Sequence, residues 1–226
     1  MRPADRRVEF PLVHEVAEFF QDLPANWCMA GGWALDLYQD RVTRKHLDVD
    51  VCVFTSNREE CVRFFINRNW RVEGKQGNGF VHVTDASEWH DEMPYFWAVV
   101  QNADFLPSYI NDRGDRKFHY LHNEQRSMDF IEVYFPYVEE GALVYEENHR
   151  IQRSLNQAVR QNYGVNYLAP EFVLLHKANW PKAKDLDDLQ RIWPSMSGEQ
   201  QDWLIKALRT IQPTHPWFDE APLHGF

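Results

Sequence analysis

Residues 29–53 read MAGGWALDLYQDRVTRKHLDVDVCV. Gly31 and Gly32 follow a short apolar run and open a segment with helical character. Asp48 and Asp50 lie two residues apart in an apolar, β-branched run, so on a strand both side chains point to the same face. We therefore expect a pair of carboxylates close to a glycine-lined helix start, an arrangement that suits a divalent metal ion carrying a phosphate chain.

A third carboxylate, Asp129, lies in the run SMDFIEVYF at residues 127–135, which we predict to be a strand. Buried aspartates are costly unless they are paired or bound to metal, and carboxylate oxygens are ligands that Mg²⁺ prefers. Three such groups can hold two ions for a displacement at phosphorus. Glu132 points to the opposite face from Asp129 on a regular strand, so it is not selected as the catalytic base.

Each of these motifs also has an ordinary structural explanation. A lone Asp-x-Asp is more often a strand end with one carboxylate paired to a nearby arginine such as Arg41 or Arg44, and a Gly-Gly pair is more often a tight turn. The glycines, the acidic pair and the later strand aspartate together favour the metal site. Arg44 and His46 belong to a basic cluster that could contact a phosphate chain or pair with the acids.

The net charge of −10 is unevenly distributed. Residues 1–150 hold 26 acidic and 16 basic residues, whereas residues 151–226 hold eight of each. Nucleic-acid binding usually requires a basic surface, so a nucleic-acid partner is not expected. The acidic part of the chain would instead attract cations.

The sequence predicts a protein that is neither secreted nor membrane-bound. No apolar run approaches the roughly 20 residues that span a bilayer, and the basic N-terminus has no apolar segment behind it. The cysteines Cys28, Cys52 and Cys61 are odd in number and lack metal-ligand spacing. We therefore expect buried, reduced thiols and a cytoplasmic location.

Hydrophobic periodicity and turn signals divide the chain near residue 150. Before it, strands and helices alternate, although residues 85–125 yield no assignment. After it, helices are predicted. The predicted helices are 9–21, 32–38, 57–68 with Ser56 as N-cap, 151–161, 170–179, 185–193 and 198–211, and the predicted strands are 26–30, 47–54, 70–73, 80–84, 127–135 and 142–145.

Three segments of the early chain carry a family resemblance. Gly31–Asp36, Arg41–His46 and Asp48–Asp50 together resemble the DNA polymerase β-like nucleotidyltransferase superfamily, and most closely the aminoglycoside 2″-adenylyltransferases and their lincosamide-modifying relatives. A looser similarity covers Tyr167–Glu171 and Lys184–Asp188. The resemblance implies an α/β (α+β) fold. A nucleotidyltransferase domain at residues 1–149, with a mixed sheet flanked by helices, would precede a smaller helical domain at residues 150–226.

The resemblance also implies a reaction and a set of site residues. An adenylyltransferase-like enzyme would move a nucleoside monophosphate, AMP from ATP, to a hydroxyl of a small acceptor and release pyrophosphate. Asp48, Asp50 and Asp129 would be catalytic and would bind two Mg²⁺ ions. The triphosphate would be held by a further set of residues: Gly31, Gly32, Arg44, His46 and Lys177.

The sequence is compatible with more than one kind of acceptor. The acidic charge of residues 1–150 favours a cationic antibiotic such as an aminoglycoside. A protein or RNA acceptor, or a nucleotide-binding module without catalysis, remains an alternative.

Overall fold

A computed structural model describes residues 10–90, 92–101, 106–119, 128–220 and 222–224. The predicted first helix begins at Glu9, and the predicted strand that contains Asp129 begins at Ser127. Both of these first residues lie outside the described ranges. The chain forms two compact units. Unit 1 comprises Met1–Met29 and Arg44–Pro136, and unit 2 comprises Ala30–Thr43 and Tyr137–Phe226.

The helices and strands alternate irregularly along the chain. In chain order they are α1 (Pro11–Phe19), β1 (Trp27–Met29), α2 (Gly31–Gln39), β2 (Val49–Val53), α3 (Arg58–Asn67), β3 (Trp70–Gln76), β4 (Gly79–Val83), β5 (Tyr95–Val100), β6 (Ser108–Ile110), β7 (Arg116–Phe118), β8 (Phe130–Tyr134), β9 (Tyr137–Glu139), β10 (Ala142–Val144), β11 (Gln152–Ser154), α4 (Leu155–Ala158), β12 (Val159–Asn162), β13 (Val165–Leu168), α5 (Pro170–Ala178), α6 (Ala183–Ile192) and α7 (Gly198–Ile211).

Unit 1 is built on a mixed sheet in the order β1-β2-β8-β5-β3-β4. β2 and β8 run parallel, and the other neighbours are antiparallel. Strand residues alternate between faces, so one face of this sheet carries the apolar set. That set is at most 1% exposed: Val49, Val51, Val53, Val72, Phe96, Ala98, Ile131 and Val133.

Aromatic side chains join the helices of unit 1 to the apolar face. Phe65 of α3 packs edge-on against Phe96 of β5, with ring centroids 5.4 Å apart. Phe20, just after α1, stacks on Phe64 of α3 at 5.6 Å. Such pairs add specific geometry to the burial of large apolar areas. The opposite face of the sheet, which we call the polar face, carries acidic side chains beside a second buried apolar cluster that includes Phe130.

The start of α3 differs from the prediction. Thr55–Asn57 form a 3₁₀ turn, and Asn57, rather than Ser56, is the N-cap, with no side-chain cap hydrogen bond. The Ser56 hydroxyl contacts the Asn57 side chain at 3.3 Å instead. Thr55 is held by the carbonyl of Phe135, to which its hydroxyl donates at 3.0 Å. The predicted N-cap is therefore wrong, because the 3₁₀ turn at Thr55–Asn57 leads the chain into the helix.

Unit 2 contains α2, a small sheet of β9, β10 and β11, the β12–β13 hairpin and helices α4 to α7. A buried polar network joins its elements. The Arg153 Nε–H donates to the Glu171 carboxylate at 2.8 Å, and the Gln200 amide donates to the other Glu171 oxygen at 2.7 Å. The Tyr38 hydroxyl of α2 donates to Gln200 at 3.1 Å. The hydrogen bonds offset the cost of burying these groups.

The predicted helix at residues 151–161 is wrong. Only Leu155–Ala158 is helical, and β12 pairs with β13 across a turn at Tyr163 and Gly164. Both turn residues have positive φ, 51° and 78°, which matches the right-handed twist of a tight hairpin. The predicted domain boundary between residues 149 and 150 lies inside unit 2, and the division into two domains stays a prediction.

The structure also bears on the predicted fold class, the cysteines and the absence of a membrane span. The mixed α/β class is confirmed, although a separate helical domain is not. Cys28, Cys52 and Cys61 are buried and are not joined in disulfides, and burial raises the pKa of the Cys61 thiol. None of the helices within the described ranges is both long and apolar enough to cross a bilayer.

His176 of α5 makes the stability of unit 2 depend on pH. Its ring lies 5.2 Å from the rings of Tyr145 and Phe172, and burial lowers its pKa from 6.5 to about 4. The unfolded chain therefore binds a proton below about pH 6.5, whereas the folded chain does not bind it until about pH 4. The free energy of unfolding therefore decreases as the pH is lowered through this window.

We expect His176→Leu to remove this pH sensitivity. Between pH 7 and pH 5 the wild type should lose about 1 to 2 kcal/mol more of its free energy of unfolding than the variant. Urea unfolding at both pH values measures the difference. Equal losses in the two proteins would contradict the assignment.

Candidate active site

The polar face of the unit 1 sheet brings Asp50 and Glu132 together. β2 and β8 are parallel neighbours, and Asp50 is the register partner of Glu132. Partners in adjacent strands point to the same face and lie about 4.8 Å apart along the sheet. The flanking residues Val49, Val51, Ile131 and Val133 are buried on the opposite face. Two carboxylates from separate strands thus share one place on the polar face.

The other two predicted acids flank this pair in sequence. Asp48 lies directly before β2, two residues from Asp50. Asp129 lies in a turn directly before β8, not on the strand, and its carbonyl accepts a hydrogen bond of 3.1 Å from the Val100 amide. The predicted strand therefore begins later than expected.

A predicted cluster of three aspartates is not observed. Within the described ranges there is no group of three or more His, Cys, Asp or Glu side chains arranged to hold a metal ion. Asp48, Asp50 and Asp129 all fall in these ranges. Their role as metal ligands stays a prediction.

The donor chemistry of the Asp50–Glu132 pair fits a magnesium ion. Both side chains are partly buried and offer carboxylate oxygens from one face of the sheet, the ligand type that Mg²⁺ prefers. Two like charges one strand spacing apart repel each other, and a bound cation stabilises them. Asp48, directly before β2, would be the next carboxylate to join such an ion.

Two tyrosines complete the surroundings of Glu132. Tyr134 follows Glu132 by two residues on β8, and burial, reinforced by the charges of Glu132 and Asp50, holds the pKa of Tyr134 well above its usual value. Tyr95 is the register partner of Tyr134, with ring centroids 5.5 Å apart. Burial, together with the Glu132 charge, raises the pKa of Tyr95 to about 12. Both hydroxyls therefore remain protonated donors near neutral pH.

An ion cluster lies further across the same face. Trp97 is the partner of Glu132 and also of Glu73, so Glu73 is two strands from Glu132. The Glu73 carboxylate is fully buried and lies 3.0 Å from Arg71 Nε and 2.9 Å from an Arg116 nitrogen. Burial raises the pKa of Glu73 despite the opposing charges of Arg116, His82 and Arg71.

The Glu73 cluster helps to hold the β6–β7 hairpin on the polar face. Arg116 belongs to β7, and Phe118 of the same strand packs against Phe80 and Trp97 at 5.4 and 5.7 Å. The hairpin lies in residues 85–125, which the sequence left unassigned. The hairpin covers the part of the polar face that is distant from Asp50, on the side of β3 and β4.

We expect Glu73→Gln to destabilise the fold by about 3 kcal/mol, because it leaves two partly buried guanidinium groups without their fully buried counter-charge. Urea unfolding measures the loss. The matched control is Glu59→Gln, which removes an exposed ion pair with Arg63 and should cost at most about 0.5 kcal/mol. Equal effects of the two substitutions would contradict the role of Glu73.

Gly31 and Gly32 begin α2 as predicted. Gly31 has φ of +55°, a left-handed conformation that favours glycine, and no side chain caps the helix start. A glycine-lined helix start without a side-chain cap is an arrangement that suits anion binding. Contact with a triphosphate stays a prediction.

The predicted phosphate-binding cations differ in their surroundings. His46 is buried and Arg44 is partly buried, both in the segment that leads into β2. Lys177 of unit 2 already bridges two acids, with its ammonium 2.7 Å from Asp185 and 3.1 Å from Asp188. Burial opposes the charge of Lys177, but the two carboxylates outweigh it and raise its pKa. A phosphate would have to compete with these carboxylates for Lys177.

Glu132 is the site residue that the sequence reasoning set aside. The strand prediction placed Glu132 on the face opposite to Asp129, whereas Asp129 lies in the turn before β8. It lacked the parallel pairing of β2 with β8, which puts Glu132 rather than Asp129 in register with Asp50. The signal present in the sequence was a lone acid between buried apolar neighbours, in the pattern Ile131-Glu132-Val133.

A family described as aminoglycoside-2″-adenylyltransferase matches the chain over residues 12–85, which include Gly31, Gly32, Asp48 and Asp50. The predicted family resemblance is confirmed over this segment. No curated protein sequence matches the chain.

Two solved structures of the antibiotic-resistance factor ANT(2″)-Ia are similar to the chain. The solution structure superposes with a TM-score of 0.55 and 15% identity, covering 90% of this chain and 92% of the other. The crystal structure in complex with adenylyl-2″-tobramycin superposes with a TM-score of 0.54 and 16% identity. The match covers 89% of this chain and 97% of the other. At this identity the likeness establishes a shared fold.

Proposed function

We propose that the protein is a magnesium-dependent nucleotidyltransferase that moves AMP from ATP to a hydroxyl of a small acceptor. The observation that supports this most strongly is the Asp50–Glu132 pair, which joins two strands on one face of the sheet. The family match covers Asp50 and the glycines of α2. Carboxylates from neighbouring strands are the groups that a displacement at phosphorus requires.

The acidic residues divide the chemistry between them. Asp48 and Asp50 would hold two Mg²⁺ ions, which supply charge stabilisation for the phosphate oxygens when bound. Glu132 lies closest in register to Asp50, and we assign it as the third carboxylate. Asp129, the residue chosen from the sequence, is the competing candidate for the same role.

The third carboxylate accepts a proton in the proposed reaction. The acceptor hydroxyl oxygen forms a bond to the α-phosphorus of ATP while the bond from that phosphorus to the β-phosphate oxygen breaks. Pyrophosphate leaves, and the hydroxyl proton passes to the carboxylate oxygen. Gly31, Gly32, Arg44 and His46 would hold the triphosphate, with Lys177 as a further phosphate ligand.

We propose a cationic antibiotic of the aminoglycoside class as the acceptor. The surplus of acidic residues in positions 1–150 favours attraction of a polycation. The matched family is named for transfer to an aminoglycoside, and one of the similar structures holds adenylylated tobramycin. On this proposal the protein acts in the cytoplasm, and its activity would confer antibiotic resistance.

Pyrophosphate release with ATP, Mg²⁺ and a panel of aminoglycosides and lincosamides tests the proposal. Turnover that depends on both the nucleotide and one of the antibiotics is expected, with an adenylylated product in the mass spectrum. Turnover only with a protein or RNA acceptor would overturn the antibiotic assignment but keep the transfer chemistry. ATP binding without turnover on any acceptor would favour an inactive nucleotide-binding module.

A further inference from the structure

Four aromatic side chains lie beside the carboxylate pair on the polar face. Trp97 of β5 is the register partner of Glu132, and Tyr95 of β5 is the register partner of Tyr134. Phe80 of β4 joins the two β5 rings, with its centroid 4.2 Å from that of Trp97 and 6.3 Å from that of Tyr95. We call these side chains the ring cluster: Phe80, Tyr95, Trp97 and Tyr134.

The ring cluster differs in exposure from the aromatic rings at the apolar face. All four of its side chains are partly buried, whereas Phe65 and Phe96 at the apolar face are fully buried. Phe118 of the β6–β7 hairpin packs against Phe80 and Trp97 and holds them in place. Held aromatic rings beside a few polar groups are typical of the walls of small-molecule sites.

The position of Trp97 favours the acceptor as the molecule that contacts these rings. In the proposed reaction Glu132 takes a proton from the acceptor hydroxyl, so the acceptor must lie within hydrogen-bond distance of Glu132. Arg44 and His46 lead into β2, on one side of Glu132, whereas Trp97 lies about 4.8 Å away on the other side. A phosphate chain bound by the cations before β2 leaves the β5 side for the acceptor.

We propose that the ring cluster is the acceptor-binding surface and that it selects a cationic, ring-containing acceptor of the aminoglycoside class. This inference rests on the proposed function. The C–H face of an acceptor ring would pack on Trp97, and its ammonium groups would be attracted to the aromatic faces and to the charges of Asp50 and Glu132.

Trp70 of β3 provides a matched control for Trp97. It lies on the apolar face of the same sheet, two residues before the buried Val72, and its ring packs edge-on against Phe65 at 5.5 Å. Trp70 and Trp97 are both partly buried. Replacing either with leucine costs packing, but only Trp97→Leu removes a ring from the polar face.

Titration calorimetry of the full-length protein with tobramycin is the first measurement. We expect Trp97→Leu to weaken tobramycin binding about tenfold and Trp70→Leu to leave it unchanged. Trp97→Phe keeps an aromatic face and should stay within about threefold of the wild type. Binding of a non-hydrolysable ATP analogue with Mg²⁺ should be the same in all four proteins. In transfer assays Trp97→Leu should raise KM for tobramycin and leave kcat close to the wild-type value.

Tryptophan fluorescence supplies a second measurement that depends less on packing. A tobramycin molecule seated on Trp97 changes the emission of its indole. The change seen on adding tobramycin should therefore be lost in Trp97→Phe and kept in Trp70→Phe. This comparison decides the proposal even if Trp97→Leu fails to fold.

Three results would overturn the acceptor-binding role. The first is wild-type tobramycin affinity in a folded Trp97→Leu protein, and the second is an equal loss in Trp70→Leu. The third is weaker binding of the ATP analogue to Trp97→Leu with unchanged tobramycin binding, which would place the nucleotide base on the ring cluster instead.

The two proposals fail in different ways. A wild type that binds tobramycin but transfers no nucleotide removes the proposed function, and the binding measurements still decide the role of Trp97. A wild type with full transfer activity and no effect of Trp97→Leu on KM removes only the acceptor-binding surface. A wild type that binds neither tobramycin nor any other aminoglycoside of the panel overturns that surface as well.

Discussion

Replacing Asp50 with asparagine is expected to lower nucleotidyl transfer by about a thousandfold or more while the protein stays folded. Asp50 is the acid of β2 in register with Glu132. Loss of one charged ligand removes several kcal/mol of charge stabilisation at the reacting phosphate, and each 1.36 kcal/mol corresponds to a tenfold change in rate. Initial rates of pyrophosphate release with ATP and a turned-over acceptor measure the loss.

Thermal unfolding of the metal-free Asp50→Asn protein separates catalysis from stability. Because the change removes one of two neighbouring like charges, the melting temperature should be equal to that of the wild type or a few degrees higher. Asp202→Asn, an exposed change of the same chemical type on α7, is the control and should leave the rate unaltered. Wild-type turnover by Asp50→Asn would contradict the metal assignment.

Glu132→Gln is expected to lower transfer about a hundredfold or more, whereas Asp129→Asn should remain close to the wild type. The prediction follows from the register, because Glu132 faces Asp50 while Asp129 lies in the turn before β8. A positioned proton acceptor typically contributes two or more orders of magnitude to the rate. Single-turnover rates at saturating ATP compare the two variants directly.

A larger loss of transfer in Asp129→Asn than in Glu132→Gln would instead identify Asp129 as the third carboxylate. Similar large losses in both variants would indicate that both acids take part. To exclude misfolding, the circular dichroism and melting temperature of each variant should match those of the wild type. Glutamine and asparagine keep the size of the acids they replace, so a difference between the variants reports on charge rather than packing.

Local sequence signals predicted the elements that carry the motif. The apolar run around Asp50 identified β2, and the glycines before Trp33 marked the start of α2. Each of these elements is specified by residues close together in the chain, through alternation of apolar side chains and backbone freedom at Gly31. The α/β class follows from the same signals.

The pairing of distant strands could not be read from the sequence. Placing Glu132 opposite Asp50 requires knowing that β2 and β8 are parallel neighbours, and no local pattern encodes this. Periodicity alone also misassigned residues 151–161, where the Tyr163–Gly164 turn favours a hairpin over a helix. The β6–β7 hairpin was missed because each of its strands has only three residues.

A crystal structure with Mg²⁺ and a non-hydrolysable ATP analogue tests the central claim most directly. The claim is that carboxylates from β2 and β8 meet at one metal-bound phosphate. We expect Mg²⁺ to be coordinated by oxygens of both Asp50 and Glu132, at about 2.1 Å, and to contact the α-phosphate. Magnesium bound by Asp129 with Glu132 turned away, or a nucleotide bound elsewhere on the protein, would contradict it.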